Sequence, residues 1–172
     1  MSGSWARRCG IRLLLAGSAP LLVGGAGLTT NLDARLLAAH NRERAAAGVP
    51  PLRWSDRLAG SARAWAGRLG RHGRLEHASG RDRQGENLWA GMSGRFTPEA
   101  MVGMWAGEKR NYRPGPFPAN SRTGRVEDVG HYTQIMWRNS RQVGCALAEG
   151  RGHDVLVCRY SAGGNVWGER PF

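Results

Sequence analysis

The 172-residue sequence predicts an α+β domain, and three observations carry that reading. Apolar residues recur at helical spacing in three segments of the chain before residue 110. Two apolar runs near the C-terminus, residues 143–149 and 154–160, read as strands joined by a tight turn at Gly150-Arg151-Gly152. A further strand-like block, Gly85-Glu86-Asn87-Leu88-Trp89, stands between the second and third helical segments. A chain of this length buries a sufficient core as one unit, so residues 28–172 are expected to form one globular domain.

Residues 1–27 read differently. Arg7, Arg8 and Arg12 stand without an acid, an apolar run follows from Leu13 to Val23, and small residues close the segment, which is the pattern of a cleaved secretory signal. The apolar run is too short for a span of about 20 residues and is broken by Gly17 and Pro20, so no transmembrane segment is expected once the signal is removed. The Arg7-Arg8 pair alone does not fix the export route. Cys9 leaves with the signal. Cys145 and Cys158 then form an even remainder in an exported protein and lie on the two strands of the expected hairpin, which predicts a disulfide; two separate buried thiols are the alternative.

The net charge is +12, and signal removal takes three arginines and leaves +9. Lys109 is the one lysine, so the charge is carried by arginine, which pairs well with carboxylate and phosphate. Anionic envelope polymers or lipid headgroups are the partners this implies, against the plainer reading that arginine solvates the surface. Nucleic acid is not expected, since the arginines are scattered and no nucleic-acid motif accompanies them.

The first helix runs over residues 32–47, with Leu32, Leu36 and Leu37 at helical spacing, Thr30 or Asn31 as cap, and Gly48 before Pro50-Pro51 as stop. His40 on it reads as a packing residue, because nothing near it supplies metal-ligand spacing. Ser55-Asp56 caps a second helix whose Leu58, Ala62, Trp65, Ala66 and Leu69 form one stripe, with Gly70 and Gly73 ending it. In the strand that follows, Glu86 shares a face with Leu88 and Ala90, a costly place for a carboxylate without a partner. Thr97-Pro98-Glu99 starts a third helix, and Glu99 there complements the helix dipole. Met101, Met104, Trp105 and Glu108 follow at offsets of a buried stripe, so Glu108 too needs a partner unless the stripe ends and it reaches solvent. Residues 113–129 are rich in Pro, Gly, Asn and Ser and read as a surface loop bordering a site.

That loop leads into Gly130-His131-Tyr132-Thr133-Gln134-Ile135-Met136-Trp137, a short helical run dense in imidazole, phenol, amide and indole groups. A segment that only filled a core would use aliphatic residues, so this density points to a site. Together with His40-Asn41, Gly48-Val49-Pro50-Pro51-Leu52-Arg53-Trp54, the 85–89 block and Val157-Cys158-Arg159-Tyr160, it resembles the CAP superfamily of cysteine-rich secretory proteins, antigen 5 allergens and group-one pathogenesis-related proteins, in its single-domain, bacterial form. The resemblance covers residues 33–168. It implies a three-layer α-β-α sandwich with a central, mainly antiparallel sheet, and a cleft tetrad of His77, Glu86, Glu108 and His131 supported by Asn87, Tyr132 and Gln134. Ala162 departs from the family's proline two places after the tyrosine, and the additional cysteines of animal members are missing.

Two imidazoles and two carboxylates can hold a divalent metal such as zinc, shuttle protons, or satisfy each other as a polar network. A secreted binding module is the first reading, with His77 and His131 as metal ligands and a lipid or other small apolar ligand nearby, as the resemblance implies; no organic cofactor is expected, and the domain is expected to be a monomer. A hydrolase using Glu86 or Glu108 as base is the second reading, weakened because Gly91-Met92-Ser93-Gly94-Arg95 lacks the last glycine of a nucleophile elbow. A basic envelope protein with a purely structural tetrad is the third.

Overall fold

A computed structural model describes residues 30–80 and 83–172; the expected signal and Cys9 lie outside the described residues. Helix α1 (Leu32–Ala46) ends before Gly48, whose φ of 65° suits a residue without Cβ. Asn31 occupies the cap position, yet its side chain makes no cap hydrogen bond, a correction to the expected cap. Leu36, His40 and Arg44, spaced four apart, form the buried stripe. A two-residue strand, β1 (Arg53–Trp54), follows and is too short to leave a periodic signal in the sequence. Helix α2 (Asp56–His72) begins where Ser55 Oγ accepts from the Leu58 N–H and ends at Gly73 with φ of 69°. Its buried face is made largely of small residues, Ala59, Ala62, Ala66 and Gly70, and Trp65 is only half-buried at its margin. That face lets α2 lie close on the sheet: a Cβ at Gly144 would strike the backbone of Ala59, and one at Gly150 the backbone of Gly70.

Strands β2 (Gly85–Met92), β3 (Gln142–Gly150) and β4 (His153–Ser161) complete a sheet of order β1-β3-β4-β2. The β3/β4 and β4/β2 pairs are antiparallel and β1 joins β3 in parallel. The turn between β3 and β4 places Arg151 (φ 52°) and Gly152 (φ 79°) both at positive φ, the backbone that matches the twist of a two-residue hairpin. Cys145 and Cys158 face one another across this hairpin and are joined by a disulfide.

The alternation of β4 divides the core into two layers. Val155 and Val157 pack with Leu88 and Ala146 under α2, whereas Leu156, Cys158 and Tyr160 face α1, α3 (Pro98–Ala106) and α4 (Gly130–Ile135). The result is the α-β-α sandwich, with α2 alone on one face and α1, α3 and α4 on the other. Thr97 Oγ1 caps α3 by accepting from Ala100, and the helix passes into a 3-10 turn, Gly107–Asn111. Met101 and Trp105 are buried, but Met104 is 46% exposed. Glu108 therefore belongs to the 3-10 turn and not to a continuous α-helical stripe, because the tighter turn rotates it out of the periodicity that the sequence suggested. Among the described residues no helix is long and apolar enough to cross a membrane.

Tyr160 ties the two faces of this upper layer together. His40 Nδ1 lies 2.7 Å from the Leu36 carbonyl, which can only accept, so Nδ1 carries the proton and Nε2 accepts from the Tyr160 hydroxyl at 2.8 Å. Burial pushes the His40 pKa down to about 4, the Leu36 carbonyl partly opposing this and the Arg44 charge adding to it. Above pH 6.5 the imidazole is neutral in both folded and unfolded chains and its contribution to stability is complete. As the pH falls from 6.5 to about 4 the unfolded chain takes a proton that the folded one refuses, and on the order of 3 kcal/mol is lost. Glu99, held down to about 2 chiefly by its hydrogen bond to Arg35, loses its contribution only below its ordinary 4.5, in a separate window. Urea denaturation between pH 7 and 4 is expected to show this loss in the wild type and a flatter profile in His40→Gln.

Candidate metal and ligand cleft

His77, Glu86, Glu108 and His131 come from four places in the chain: the loop after α2, the start of β2, the 3-10 turn after α3, and the first turn of α4. The fold brings them together as two pairs at the edge strand β2. His77 Nδ1 lies 2.6 Å from Glu86 Oε1, and His131 Nδ1 lies 2.6 Å from Glu108 Oε1. Both histidines and Glu86 line one cavity of about 280 Å3, together with Phe117, Val126 and Asn165. Glu108 stands behind His131 and does not line it.

Glu86 meets the cost of burial with three partners. Its side chain is fully buried, and it accepts from His77 and from the Ala78 N–H at 3.1 Å, while Oε2 pairs with Arg159 Nη2 at 3.0 Å. Arg159 sits opposite Glu86 in the β4 register and is itself buried, so the strand pairing that builds the sheet also builds the ion pair. Glu108 is bound in a similar way. Its Oε2 accepts the backbone N–H groups of His131 (2.9 Å) and Tyr132 (3.1 Å), and Oε1 accepts His131 Nδ1–H. A carboxylate at the start of α4 complements the positive end of that helix, and it fixes the His131 ring in the same contact. Trp105 stacks on the other side of that ring, with centroids 5.9 Å apart and planes inclined by 15°.

A carboxylate can only accept, so in each pair Nδ1 carries the proton, and in the neutral imidazole Nε2 keeps its lone pair. This is the arrangement found behind metal-binding histidines, where a carboxylate fixes the tautomer and raises ligand basicity. Each pair therefore presents one imidazole nitrogen of the kind that binds a borderline divalent ion. His77 is the looser of the two, with 53% of its side chain exposed against 33% for His131.

The supporting residues act from outside the cleft or at its wall. Asn87 Nδ2 donates to the His131 carbonyl (3.1 Å) and to the Tyr160 hydroxyl (3.2 Å), joining the cleft to the His40 network. Tyr132 packs edge-on against Tyr112 and Phe172. Gln134 lies deeper: its carbonyl accepts from the Gly164 N–H and its amide donates to Ser140, so it anchors the glycine-rich loop. Sequence reasoning missed Arg159 as the partner of Glu86, and Phe117 and Val126 as the apolar wall. The 113–129 segment reads as bordering a site, and Phe117 and Val126, apolar residues inside a polar loop, are the available signal.

Among the described residues the tetrad does not form a group of three or more His, Cys, Asp or Glu donors with the spacing for a metal; the one group that does is His40 with Cys145 and Cys158. The disulfide removes both thiolates and both ring nitrogens of His40 are hydrogen-bonded, so it is packing, not ligation.

Comparison with known proteins agrees with this architecture. The model of the cysteine-rich secretory protein family, CAP, matches residues 37–160. Pathogenesis-related protein 1 of Arabidopsis thaliana is 39% identical over 137 residues, which is 79% of this chain and 80% of that protein. A PR-1 type protein of Sambucus nigra is 40% identical over 138 residues, 78% of each. Among solved structures, NaASP2 with Zn2+ superposes with a TM-score of 0.73 at 18% identity, covering 85% of this chain and 87% of that one. Venom allergen-like protein 4 of Schistosoma mansoni does so with a TM-score of 0.63 at 22% identity, covering 82% and 93%. At such identities the structures share the fold.

Glu99 and Glu108 make a direct comparison. Glu99 was expected only to complement the dipole of α3, yet Arg35 of α1 holds it at 2.7 Å through both oxygens. That pair is solvent-screened, whereas Glu108 leaves three donors without an acceptor when it is removed. Glu108→Ala is expected to destabilise the domain by about 2–3 kcal/mol in urea denaturation, with Glu99→Ala costing clearly less. Equal losses at both positions would show that the Glu108 contacts are not stabilising.

Proposed function

Because the chain belongs to the cysteine-rich secretory protein (CAP) family and is of the pathogenesis-related protein 1 type, we propose that it is a secreted binding module whose cleft holds a divalent ion, zinc or one like it, through His77 and His131. The observation that carries the reading is the pair of 2.6 Å contacts from Nδ1 of each imidazole to a buried or half-buried carboxylate, which presets both rings as ligands. A relative of the same fold was solved with Zn2+, which supports the reading. The disulfide and the signal-like residues 1–27 support export. When bound, the ion would supply Lewis acidity and a fixed positive charge.

The protein's own groups then do the rest. Glu86 and Glu108 hold the rings and keep the Nδ1 protons in place. Phe117 and Val126 give one wall of the cleft an apolar character, which suits a lipid or other small apolar ligand beside the ion. Binding is favoured over hydrolysis because, among the described residues, no activated serine or cysteine nucleophile accompanies the tetrad. Ser93, the serine of the incomplete elbow, donates instead to Asp154 at 2.8 Å, at the other end of β2. The arginine-rich surface supports contact with anionic envelope polymers.

Two imidazoles make a weak site, so chelation is expected to remove the ion without unfolding the domain, unlike a structural zinc. Isothermal titration with zinc at neutral pH is expected to show one ion bound in the wild type and a loss of at least about tenfold in affinity in His77→Ala or His131→Ala. Uptake should fall in acid, since each ligand must shed a proton to bind. No uptake by the wild type, or unchanged uptake by either variant, would leave the tetrad as a polar network.

A further inference from the structure

The sheet is longer than the helix that covers it. Under α2 the strands bury Leu88, Ala146, Val155 and Val157, and the cover ends at Gly73, whereas β2 runs on to Met92. Side chains alternate along the strand, so Ala90 and Met92 share the α2 face with Leu88; yet Leu88 is 6% exposed and Met92 62%. Leu75, in the loop just past the helix, is 50% exposed. Leu75 and Ala90 line one recess of about 160 Å3 together with the buried Leu69 and Val155. Met92 adjoins it, opposite His153 of the same lining in the β2/β4 register. Open apolar side chains from two elements therefore meet at one end of the sandwich.

The rim of that recess is basic. Arg74, Arg151 and His153 line it, and none of its lining residues is acidic. Arg151, at the hairpin turn, lies against the helix end, where a Cβ at Gly73 would meet its Cδ at 3.5 Å. Arg71, in the last turn of α2, adds another exposed cation. Among the described residues none of Arg71, Arg74 and Arg151 is paired with an acid. Glu76 does not line the recess, and Glu149 and Asp154 alternate to the other face of the sheet, Asp154 being held by the Ser93 hydroxyl and the Gly94 N–H.

Open apolar side chains ringed by unpaired arginines fit a partner that is apolar within and anionic at its surface. A second copy is disfavoured, since two such rims would repel. The recess is smaller than the roughly 300 Å3 at which small-molecule sites begin, and Met92 stands out beside it, so the patch is shaped to enter a surface rather than to enclose a peptide. We propose that this end of the molecule docks on an anionic lipid bilayer. Leu75 and Met92 enter the headgroup layer, and Arg71, Arg74 and Arg151 meet lipid phosphates with their aliphatic stems along the apolar patch. The surface lies at the other end of β2 from Glu86 and shares no residue with the metal cleft, so it acts with or without the ion.

The test is cosedimentation with vesicles of the exported chain, whose described elements all lie after residue 31, so that the apolar run of the signal takes no part. Phosphatidylcholine vesicles with about one-third phosphatidylglycerol are expected to bind it at least about tenfold more tightly than phosphatidylcholine alone, and salt is expected to weaken the binding. Arg74→Gln combined with Arg151→Gln should weaken it at least about tenfold, since each basic residue at the surface counts for about fivefold. Leu75→Ser combined with Met92→Ser, at exposed positions that leave the circular dichroism of the folded domain unchanged, should weaken it at least about fivefold. Arg57→Gln combined with Arg63→Gln removes the same charge from exposed positions near the start of α2, more than a Debye length from its end, and should change binding by less than about twofold. The proposal is overturned if neutral vesicles bind as tightly, if either folded double variant at the tip binds as well as the wild type, or if the Arg57/Arg63 variant loses as much. Soluble polyglutamate binding as tightly as the anionic vesicles would also overturn it, because a polymer of carboxylates has no place for the apolar side chains.

Discussion

Helix α4 has six residues, too few to hold a helix in water on its own propensity, and the cleft depends on it. It is held by charge at both ends. At its start Glu108 takes the N–H groups of His131 and Tyr132, and past its end Arg44 donates to the Ile135 carbonyl at 2.7 Å and the Trp137 carbonyl at 3.0 Å. An anion at the N-terminus and a cation at the C-terminus both oppose the helix dipole, and here each also satisfies backbone groups that a short helix leaves open. Arg44 reaches further, to the carbonyls of Ser140 at 3.0 Å and Pro50 at 2.7 Å, so one fully buried side chain gathers α1, α4 and the approach to β3. Burial, with the Arg141 charge adding to it, lowers its pKa to about 10, which still leaves it cationic at neutral pH. Four carbonyls in place of a carboxylate make the burial of that charge tolerable.

The same economy of partners runs through the cleft. Each imidazole is fixed by a carboxylate, and each carboxylate is fixed in turn by groups that the fold needs for other reasons: the α4 backbone for Glu108, the Ala78 backbone and the β4 arginine for Glu86. Asn87 then links the His131 carbonyl to Tyr160, and Tyr160 to His40 in the layer between α1 and the sheet. The cleft is therefore joined to the core by hydrogen bonds whose partners lie far apart in the chain.

This explains which features were legible in the sequence. The capped starts of α2 and α3, the α2 stripe, the hairpin with its disulfide and the bordering loop are written in residues close to one another, so spacing and turn chemistry reveal them. Glu86 and Glu108 were legible as anomalies, carboxylates where apolar residues would be expected. Their partners were not, because pairing of Glu86 with Arg159 follows from β2/β4 register, and pairing of Glu99 with Arg35 from the crossing of α1 and α3. Met104 lies within α3 and is nonetheless 46% exposed, whereas Glu108 lies past the point where the helix tightens to 3-10 geometry, so the α-helical period does not carry through to it. The strand β1 has two residues, and no pattern survives at that length. The resemblance to the family supplied the grouping of the tetrad, which residue spacing alone leaves open.

The central claim is that the carboxylates hold His77 and His131 as Nδ1–H tautomers, with both Nε2 lone pairs open to a ligand. Long-range 1H–15N correlation spectra of the imidazole side chains, recorded at neutral pH in the absence and presence of zinc, test it directly. In both residues Nε2 is expected to be the unprotonated nitrogen, and its resonance alone is expected to move strongly when zinc is added. Protonated Nε2 in either residue, or a zinc response at Nδ1, would contradict it.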